Sequence, residues 1–188
     1  VTDKNDIKYI LQKAFYIANS GRKGSVLVDV PYNIARSDVD EKSLKSFIPP
    51  NEEVYDSIDV QKILSCLKSA KRPVVLLGGG MRKNSCRQKM ALLLNRVKIP
   101  CVASLCGMDV LSHNNNCFVG FIGHYGNRYA NLAVANSDCL IILGSRLDER
   151  QLGGYKTQLA PDAKIIRVDI DKFELNRKLH EDVSIWAD

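Results

Sequence analysis

Two charged segments of this sequence each follow an apolar run that is typical of a parallel β-strand. The first is Gly144-Ser145-Arg146-Leu147-Asp148-Glu149-Arg150, and the second is Val168-Asp169-Ile170-Asp171. A third predicted strand ends on Gly78-Gly79-Gly80, where bare backbone can approach a ligand. In an open α/β sheet, ligands bind beyond the carboxyl ends of the strands. We therefore predict a crevice at this edge for a phosphate-bearing ligand such as a dinucleotide.

The first charged segment offers two arginines, Arg146 and Arg150, spaced four residues apart. Arginine pairs bidentately with phosphate or carboxylate, so both are candidates for binding an anion. Asp148 and Glu149 lie between them and could instead pair with the arginines in a surface loop. Both interpretations remain open on spacing alone.

The second charged segment offers Asp169 and Asp171 on either side of Ile170. An acidic residue at such a strand end can accept hydrogen bonds from a ribose. Asp171 with Glu174 fits the capping box of a short helix, so we expect capping to be its main role. Asp169 is therefore the better candidate for ligand binding.

The three glycines at 78–80 lack the full Gly-x-Gly-x-x-Gly spacing, so they fit either a phosphate cradle or a tight strand-to-helix turn. His124 and Tyr125 lie in a Gly-rich loop, where a lone histidine is more often a surface group. Cys106 has no visible base partner, which argues against a nucleophilic role. No complete reaction centre is evident among these residues.

The elements that would position these residues alternate between helices and strands. Apolar periodicity predicts a helix over 6–19 and a strand over Ser25–Val30 before Pro31. The polar stretch with Pro49 and Pro50 suggests a linker at 36–57. It would separate the end of one domain, residues 1–35, from a nucleotide-binding type of domain at 58–188, which begins near Ile58.

The second domain reads as a parallel sheet with right-handed crossovers and helices on both faces, a Rossmann-like α/β fold of about six strands. A helix over 84–97 should turn Met90, Leu93, Leu94 and Val97 inward. Residues 105–126 form a long loop, which is usually functional or mobile. The other predicted elements are a helix carrying Val60 to Leu67, strands at Pro73–Leu77, Pro100–Ser104, Cys139–Leu143, Ile165–Ile170 and Val183–Trp186, and a helix at Asn127–Asn136.

Composition excludes several classes of protein. The chain has 188 residues, 45% of them hydrophobic and 26% charged, as in a folded soluble domain. No apolar run is long enough to span a membrane, and the net charge of +6 is scattered rather than gathered into a nucleic-acid patch. Six cysteines without a Cys-x-x-Cys pair and three histidines without ligand spacing argue for reduced thiols, a cytoplasmic location and no zinc site.

At these residues the chain resembles the large-subunit family of thiamine-diphosphate-dependent acetolactate synthase. The resemblance runs almost from end to end. Residues 14–31 resemble the end of the family's pyrimidine-binding domain, and about 58–188 resemble its central domain. Four segments carry the second likeness: Pro73 to Gly80, Gly123 to Asn131, Gly144 to Arg150 and Asp169 to Glu174.

The resemblance implies that the central domain binds FAD, or ADP in sister enzymes, and that Arg150 also faces the acceptor 2-oxo acid. Arg22 would come from the preceding domain, and Asp169, Ile170 and Asp188 would lie toward the adenosine end. The residues implied for the cofactor are Arg22, Gly78, Gly79, Gly80, Ser104, Leu105, His124, Tyr125, Gly144, Ser145, Arg146, Asp148, Arg150, Asp169, Ile170 and Asp188.

The sequence departs from the family pattern at four places. Asp148-Glu149 replaces a pair of aspartates, and His124-Tyr125 replaces Met-His. Pro31-Tyr32-Asn33 replaces Pro-Lys-Asp, and Gln151 stands where an apolar residue is common. These changes would surround the flavin ring and the substrate channel, so a relative with a different substrate fits the same pattern.

The implied parent enzyme decarboxylates a 2-oxo acid such as pyruvate and joins it to a second carbonyl compound, in branched-chain amino acid biosynthesis. It binds thiamine diphosphate and Mg²⁺ through flanking domains and forms active sites between subunits. The cofactor-activating glutamate and the Gly-Asp-Gly motif belong to those domains, so we expect this chain to be an excised fragment that is inactive alone. The alternatives are a scaffold domain that has lost its nucleotide and, more remotely, a nicotinamide-dependent oxidoreductase.

Overall fold

A computed structural model describes residues 1–51, 55, 57, 60–154 and 158–188. The chain divides into two compact units, Val1–Val54 and Tyr55–Asp188, which we describe separately. Ile58, the expected start of the second domain, lies outside the described residues. The predicted boundaries at 35/36 and 57/58 stay predictions.

The first unit is built around one amphipathic helix. Helix α1 spans Ile7–Asn19 and follows a short 3-10 turn, which confirms the predicted helix. The predicted strand at Ser25–Val30 is wrong, since these residues form no strand and Leu27 is 93% exposed. A strand is stabilised by pairing with a neighbour, and no other described segment of this unit is a strand.

Part of the stretch predicted as a linker packs on α1. A short helix α2 at Tyr32–Ala35 ends just before this stretch. The ring of Phe47 lies 5.6 Å from that of Tyr9 and 5.5 Å from that of Tyr16. The backbone N–H of Phe47 donates to the Gln12 side chain at 2.8 Å. An apolar anchor therefore holds this otherwise polar stretch against the helix.

The second unit is an open sheet of six parallel strands with the order β3-β2-β1-β4-β5-β6. This confirms the predicted fold class. The strands are β1 Pro73–Leu77, β2 Cys101–Ala103, β3 Phe118–Phe121, β4 Cys139–Leu143, β5 Lys164–Asp169 and β6 Val183–Trp186. The helices are α3 Val60–Ser69, α4 Asn84–Val97, α5 Arg128–Ala135 and α6 Glu149–Leu152.

Both faces of this sheet are buried. Alternate residues of β1 point to opposite sides, so Val75 and Leu77 join one apolar core while Val74 and Leu76 join the other. Residues from α3 and α4 complete the first core, and residues from α5 complete the second. A central strand covered on both faces needs a continuous apolar run, which is why these strands were visible in the sequence.

Helix α4 buries a narrower face than predicted. Met90 and Leu94 are buried, at 7% and 0% exposure. Leu93 and Val97, also expected to face inward, are 51% and 44% exposed. Residues four apart lie on one line along a helix, whereas Leu93 and Val97 are rotated away from the line through Met90 and Leu94.

The segment 105–126, predicted as a loop, contains the edge strand β3. Cys101 of β2 pairs with Phe118, and Val102 pairs with Gly120, with an irregularity between the two pairs. Gly120 has a φ of 140°, which interrupts regular strand geometry. This strand has only four residues, includes a glycine and follows a run of asparagines. It therefore shows no alternation of apolar and polar residues by which it could be predicted.

The six cysteines are unpaired thiols that differ in exposure. Burial, with a smaller contribution from Cys117, raises the pKa of Cys101 to about 12. Burial also raises the pKa of Cys139 to about 11. Cys106 is exposed at the carboxyl edge of the sheet.

We expect Cys106 to react with an aromatic disulfide reagent long before Cys101 and Cys139, because the thiolate is the reactive form. The measurement is timed modification of the native chain at mildly alkaline pH, followed by peptide mass spectrometry. Equal labelling of Cys106 and Cys139 under conditions that keep the chain folded would contradict the burial of Cys139 in β4.

Among the described residues, no helix is long and apolar enough to cross a membrane.

Candidate functional site

The three segments singled out at strand ends are neighbours at one edge of the sheet. Leu77 of β1 is in register with Leu143 of β4, which is in register with Val168 of β5. The N–H of Gly78 donates to the Leu143 carbonyl at 2.8 Å, and the N–H of Gly144 donates to the Val168 carbonyl at 3.0 Å. The parallel register therefore places three features side by side: the glycine run (Gly78–Gly80), the arginine loop (Gly144–Arg150) and Asp169.

The glycine run allows the backbone after β1 to lie against Gly144. A Cβ on Gly78 would stand 2.1 Å from the Gly144 carbonyl oxygen, and one on Gly80 would stand 3.0 Å from its Cα. The N–H of Gly80 donates to that same carbonyl at 3.0 Å. Because the N–H groups of Gly78 and Gly80 both donate within the protein, the geometry favours the tight turn over a phosphate cradle made of these two amides.

Two buried residues, Ser145 and Leu147, anchor the arginine loop to the rest of the second unit. Leu147 is fully buried in the core beneath α5 and adopts a φ of 54°. Ser145 is 2% exposed, and its hydroxyl donates to the Gln151 side chain at 3.0 Å. With its underside fixed in this way, the loop turns its arginines outward: the Arg146 side chain is 62% exposed, and Arg150 is exposed on α6.

Asp148 is the N-cap of α6, since its carboxylate accepts from the Gln151 N–H at 3.1 Å. We expect Asp148→Ala to lower the free energy of unfolding by about 1 kcal/mol, the usual effect of losing such a cap. Chemical denaturation of both proteins measures the difference. Glu149→Ala, an exposed residue of the same turn, is the matched control and should have little effect. Equal losses in the two variants would contradict the capping role.

Arg167 lies in the middle of β5 and was missed by the sequence analysis. It is completely buried, and its guanidinium lies 3.3 Å from the Asp169 carboxylate and 3.0 Å from the Glu181 carboxylate. It also donates to the backbone carbonyls of Ser145 and Glu174. A charged residue between Ile166 and Val168, within a predicted strand, was the available signal, because a buried charge requires buried partners.

Asp169, the predicted ribose acceptor, lies inside this network. It is 2% exposed, and its second oxygen accepts from the Asp171 N–H at 3.0 Å. The carbonyl of Ile170 accepts from the indole N–H of Trp186 at 2.9 Å. The carboxylate of Asp169 is therefore committed to Arg167 and the local backbone.

Asp171 caps a 3-10 turn at Lys172–Glu174 and accepts from the Phe173 N–H at 3.1 Å, which confirms its predicted role. Glu174 does not complete the capping box. Its carboxylate accepts from Arg146 and Arg177, each at 2.9 Å, and Lys178 lies 3.7 Å away.

The charge on Glu174 is set by these cations. Burial of the side chain opposes ionisation, but the hydrogen bonds from Arg146 and Arg177 hold the pKa of Glu174 below its ordinary value. Of the three cations that face Glu174, Arg146 and Arg177 keep more than half of their side chains exposed. These exposed guanidinium groups could contact an anionic ligand.

The loop that carries His124 and Tyr125 contacts α6. The His124 N–H donates to the Arg150 carbonyl at 2.8 Å. The side chain of Asn131, which the sequence analysis did not single out, bonds both the N–H and the carbonyl of Gly123. Below this loop lies a cleft of about 790 Å³, whose lining includes His124, Asn131, Arg150 and Gly153. Tyr125 is 71% exposed.

The remaining predicted residues lie in three places. Ser104 is buried and its N–H donates to the Leu77 carbonyl, while the next residue, Leu105, is 58% exposed. Asp188 lies 3.7 Å from Lys83. Arg22 belongs to the first unit, in the turn after α1. Among the described residues, no group of three acidic, histidine or cysteine side chains could hold a metal ion.

Comparison with known proteins decides the family. A family model described as the central domain of thiamine pyrophosphate enzymes matches residues 60–188. The chain belongs to this family. The six parallel strands and their helices are therefore those of a thiamine pyrophosphate enzyme central domain.

Curated relatives extend the likeness to the first unit. The acetolactate synthase large subunit of Cyanidium caldarium is 33% identical over 100% of this chain and 33% of its own length. That of Parasynechococcus marenigrum is 32% identical over 100% of this chain and 31% of its own length. Chloroplastic acetolactate synthase 2 of Nicotiana tabacum is 31% identical over 100% and 29%, respectively. The chain thus spans about a third of the length of these relatives, and the expected resemblance is confirmed.

Proposed function

We propose that this chain is the central domain, with the end of the preceding domain, of a thiamine-diphosphate-dependent enzyme similar to acetolactate synthase. The parent would decarboxylate a 2-oxo acid such as pyruvate and ligate the product to a second carbonyl compound. The observation that carries the proposal is the similarity of the whole chain to acetolactate synthase large subunits. In this parent the central domain would bind FAD or an adenine nucleotide.

The arginine loop supports binding of a phosphate-bearing ligand. Arg146 and Arg150 are exposed cations at the carboxyl edge, where parallel sheets bind ligands. A guanidinium forms strong, charge-assisted hydrogen bonds to phosphate, and Arg150 could also face a substrate carboxylate. FAD, if bound, would supply a largely structural contribution in a synthase of this kind.

Thiamine diphosphate and Mg²⁺ would be held by other parts of the parent. The sequence contains no Gly-Asp-Gly motif for a diphosphate and its metal ion. The active site would then form with the flanking domains and a second subunit, and this chain alone would be inactive. We place the parent in the cytoplasm as part of the same proposal.

One observation favours a second candidate function, a scaffold domain without a nucleotide. The N–H groups of Gly78 and Gly80 and the carboxylates of Asp148 and Asp169 all bond within the protein. A domain that had lost its ligand would retain such internal bonds for rigidity. The arginines would then be solvated surface groups.

Thermal unfolding with FAD, ADP and NAD separates the two functions. Ligand at ~100 times its dissociation constant adds about 2.7 kcal/mol, which raises the midpoint of a chain of this size by roughly 5–10 °C. A rise with FAD supports a flavin-type relative of acetolactate synthase, and a rise with ADP alone supports a sister enzyme that keeps the nucleotide. Arg146→Met should remove the rise and Arg96→Met, at the far end of α4, should keep it. No rise with any ligand favours the scaffold.

A further inference from the structure

The second unit contains one arginine whose guanidinium joins segments next to three strands, β4, β5 and β6. Arg167 of β5 is 0% exposed and is the largest of the fully buried side chains. One terminal nitrogen donates to the Glu174 carbonyl at 2.7 Å and to the Glu181 carboxylate at 3.0 Å. The other donates to the Ser145 carbonyl at 3.1 Å and to the Asp169 carboxylate at 3.3 Å.

These four acceptors belong to different segments of the second unit. Ser145 lies in the loop that follows β4, and Glu174 lies in the turn that follows β5. Glu181 precedes β6, and its second oxygen accepts from the Ser184 hydroxyl at 2.8 Å. A planar guanidinium with donors on both sides is the one side chain that can join so many acceptors in fixed directions.

The two backbones that Arg167 joins also carry the ion pair that orients Arg146. Arg146 directly follows Ser145, and its Nε donates to the Glu174 carboxylate at 2.9 Å. Lys178 donates to the Arg146 carbonyl at 3.1 Å. The ion pair between Arg146 and Glu174 therefore depends on the distance between the Ser145 and Glu174 backbones, and Arg167 spans that distance.

We propose that Arg167 is a positioning residue, which fixes the loop after β4 against the turn after β5 so that Arg146 presents its guanidinium to an anionic ligand. This inference rests on the proposed function, because it assigns Arg146 to a phosphate-bearing ligand. Arg167 itself is buried and touches no ligand. Its effect on binding is transmitted through Ser145 and Glu174.

Arg167→Lys separates this role from a contribution of charge alone. A lysine keeps the positive charge beside Asp169 and Glu181, but its compact ammonium cannot reach all four acceptors in the geometry of the fork. Leu94→Ala is the matched control, because it destabilises the core next to α4 and leaves the four bonds of Arg167 in place. The comparison between the two variants removes the effect of lower stability.

The first measurement is hydrogen exchange of the whole chain without ligand. In Arg167→Lys we expect faster exchange in residues 144–152 and 171–181 than in Leu94→Ala, whose faster exchange should centre on α4. If Arg167→Lys does not fold, Glu181→Gln removes one charged acceptor from the fork and should accelerate exchange in the same two segments. Exchange in those segments that matches the control in both variants would overturn the proposal.

The second measurement is the dissociation constant for FAD and for ADP, taken well below the unfolding midpoint of each variant. We expect about tenfold weaker binding in Arg167→Lys, the value of one charge-assisted hydrogen bond to the ligand, and unchanged binding in Leu94→Ala. Wild-type affinity in a folded Arg167→Lys protein would overturn the positioning role. If the wild type binds neither ligand, the proposed function fails, and hydrogen exchange alone decides whether Arg167 fixes the two segments.

Discussion

Gly78→Ala should lower the free energy of unfolding of the second unit by about 3 kcal/mol or more, at the upper end of overpacking effects. The cause is steric. The φ of Gly78 is −97°, a conformation that alanine readily adopts, but its Cβ would stand 2.1 Å from the carbonyl oxygen of Gly144. Relief of this clash requires β1 and β4 to separate at their carboxyl ends. The same movement would displace the arginine loop.

Two neighbouring substitutions make this test specific. Gly79→Ala brings its Cβ only to 3.2 Å from the Cys106 carbonyl, so a small adjustment accommodates it. Gly154→Ala has no heavy atom within 4 Å. Chemical denaturation should rank the losses as Gly78 far above Gly79 and Gly79 above Gly154. A Gly78→Ala protein as stable as the wild type would contradict the close packing of the two strand ends.

Arg167→Met should cost about 3–5 kcal/mol, the usual effect of removing one partner of a buried ion pair. Asp169 and Glu181 would keep their negative charges inside the protein without the guanidinium that compensates them. The carbonyls of Ser145 and Glu174 would lose a donor as well. Methionine fills a similar volume, so the loss reports on charge and hydrogen bonding rather than on a cavity.

The matched control is Arg82→Met, which removes an ion pair of good geometry from the surface. Arg82 lies 2.8 Å from Asp109, with 56% and 54% of the two side chains exposed. Exposed pairs contribute little because water screens them, so the unfolding free energy should hardly change. Both variants replace an arginine of an ion pair with methionine. The difference between their losses of unfolding free energy therefore measures the effect of burying the pair. Similar small losses in both would show that Arg167 is not the centre of a buried network.

The strands of the second unit could be predicted because both faces of the sheet are covered. The bounds of β1 and β4 coincide with apolar runs in the sequence, and those of β6 coincide with an alternation of apolar and polar residues. Strand β3 escaped prediction because it has four residues, one of them Gly120. The apolar run at 25–30 led to the prediction of a strand that the structure does not contain. An apolar run predicts burial, but a strand also needs a neighbouring strand to pair with.

The location of the candidate site could be predicted from the sequence, but the contacts within it could not. Parallel register brings the segments after β1, β4 and β5 to one edge whatever their side chains are. The contacts depend on tertiary packing instead. Asp169 pairs with Arg167 two residues away, but Glu181 lies fourteen residues on and Ser145 approaches from another strand. Contacts between residues so far apart in the chain cannot be predicted from the spacing of residues in a single sequence.

The most direct test of the account is residue-resolved binding. We would titrate the ¹⁵N-labelled chain with FAD and with ADP and follow the backbone amide resonances. We expect shifts to concentrate in residues 144–150 and in the turn from Ile170 to Phe173, and we expect Arg146→Met to weaken them. Absence of shifts with both ligands, or shifts confined to the first unit, would contradict nucleotide binding at the carboxyl edge.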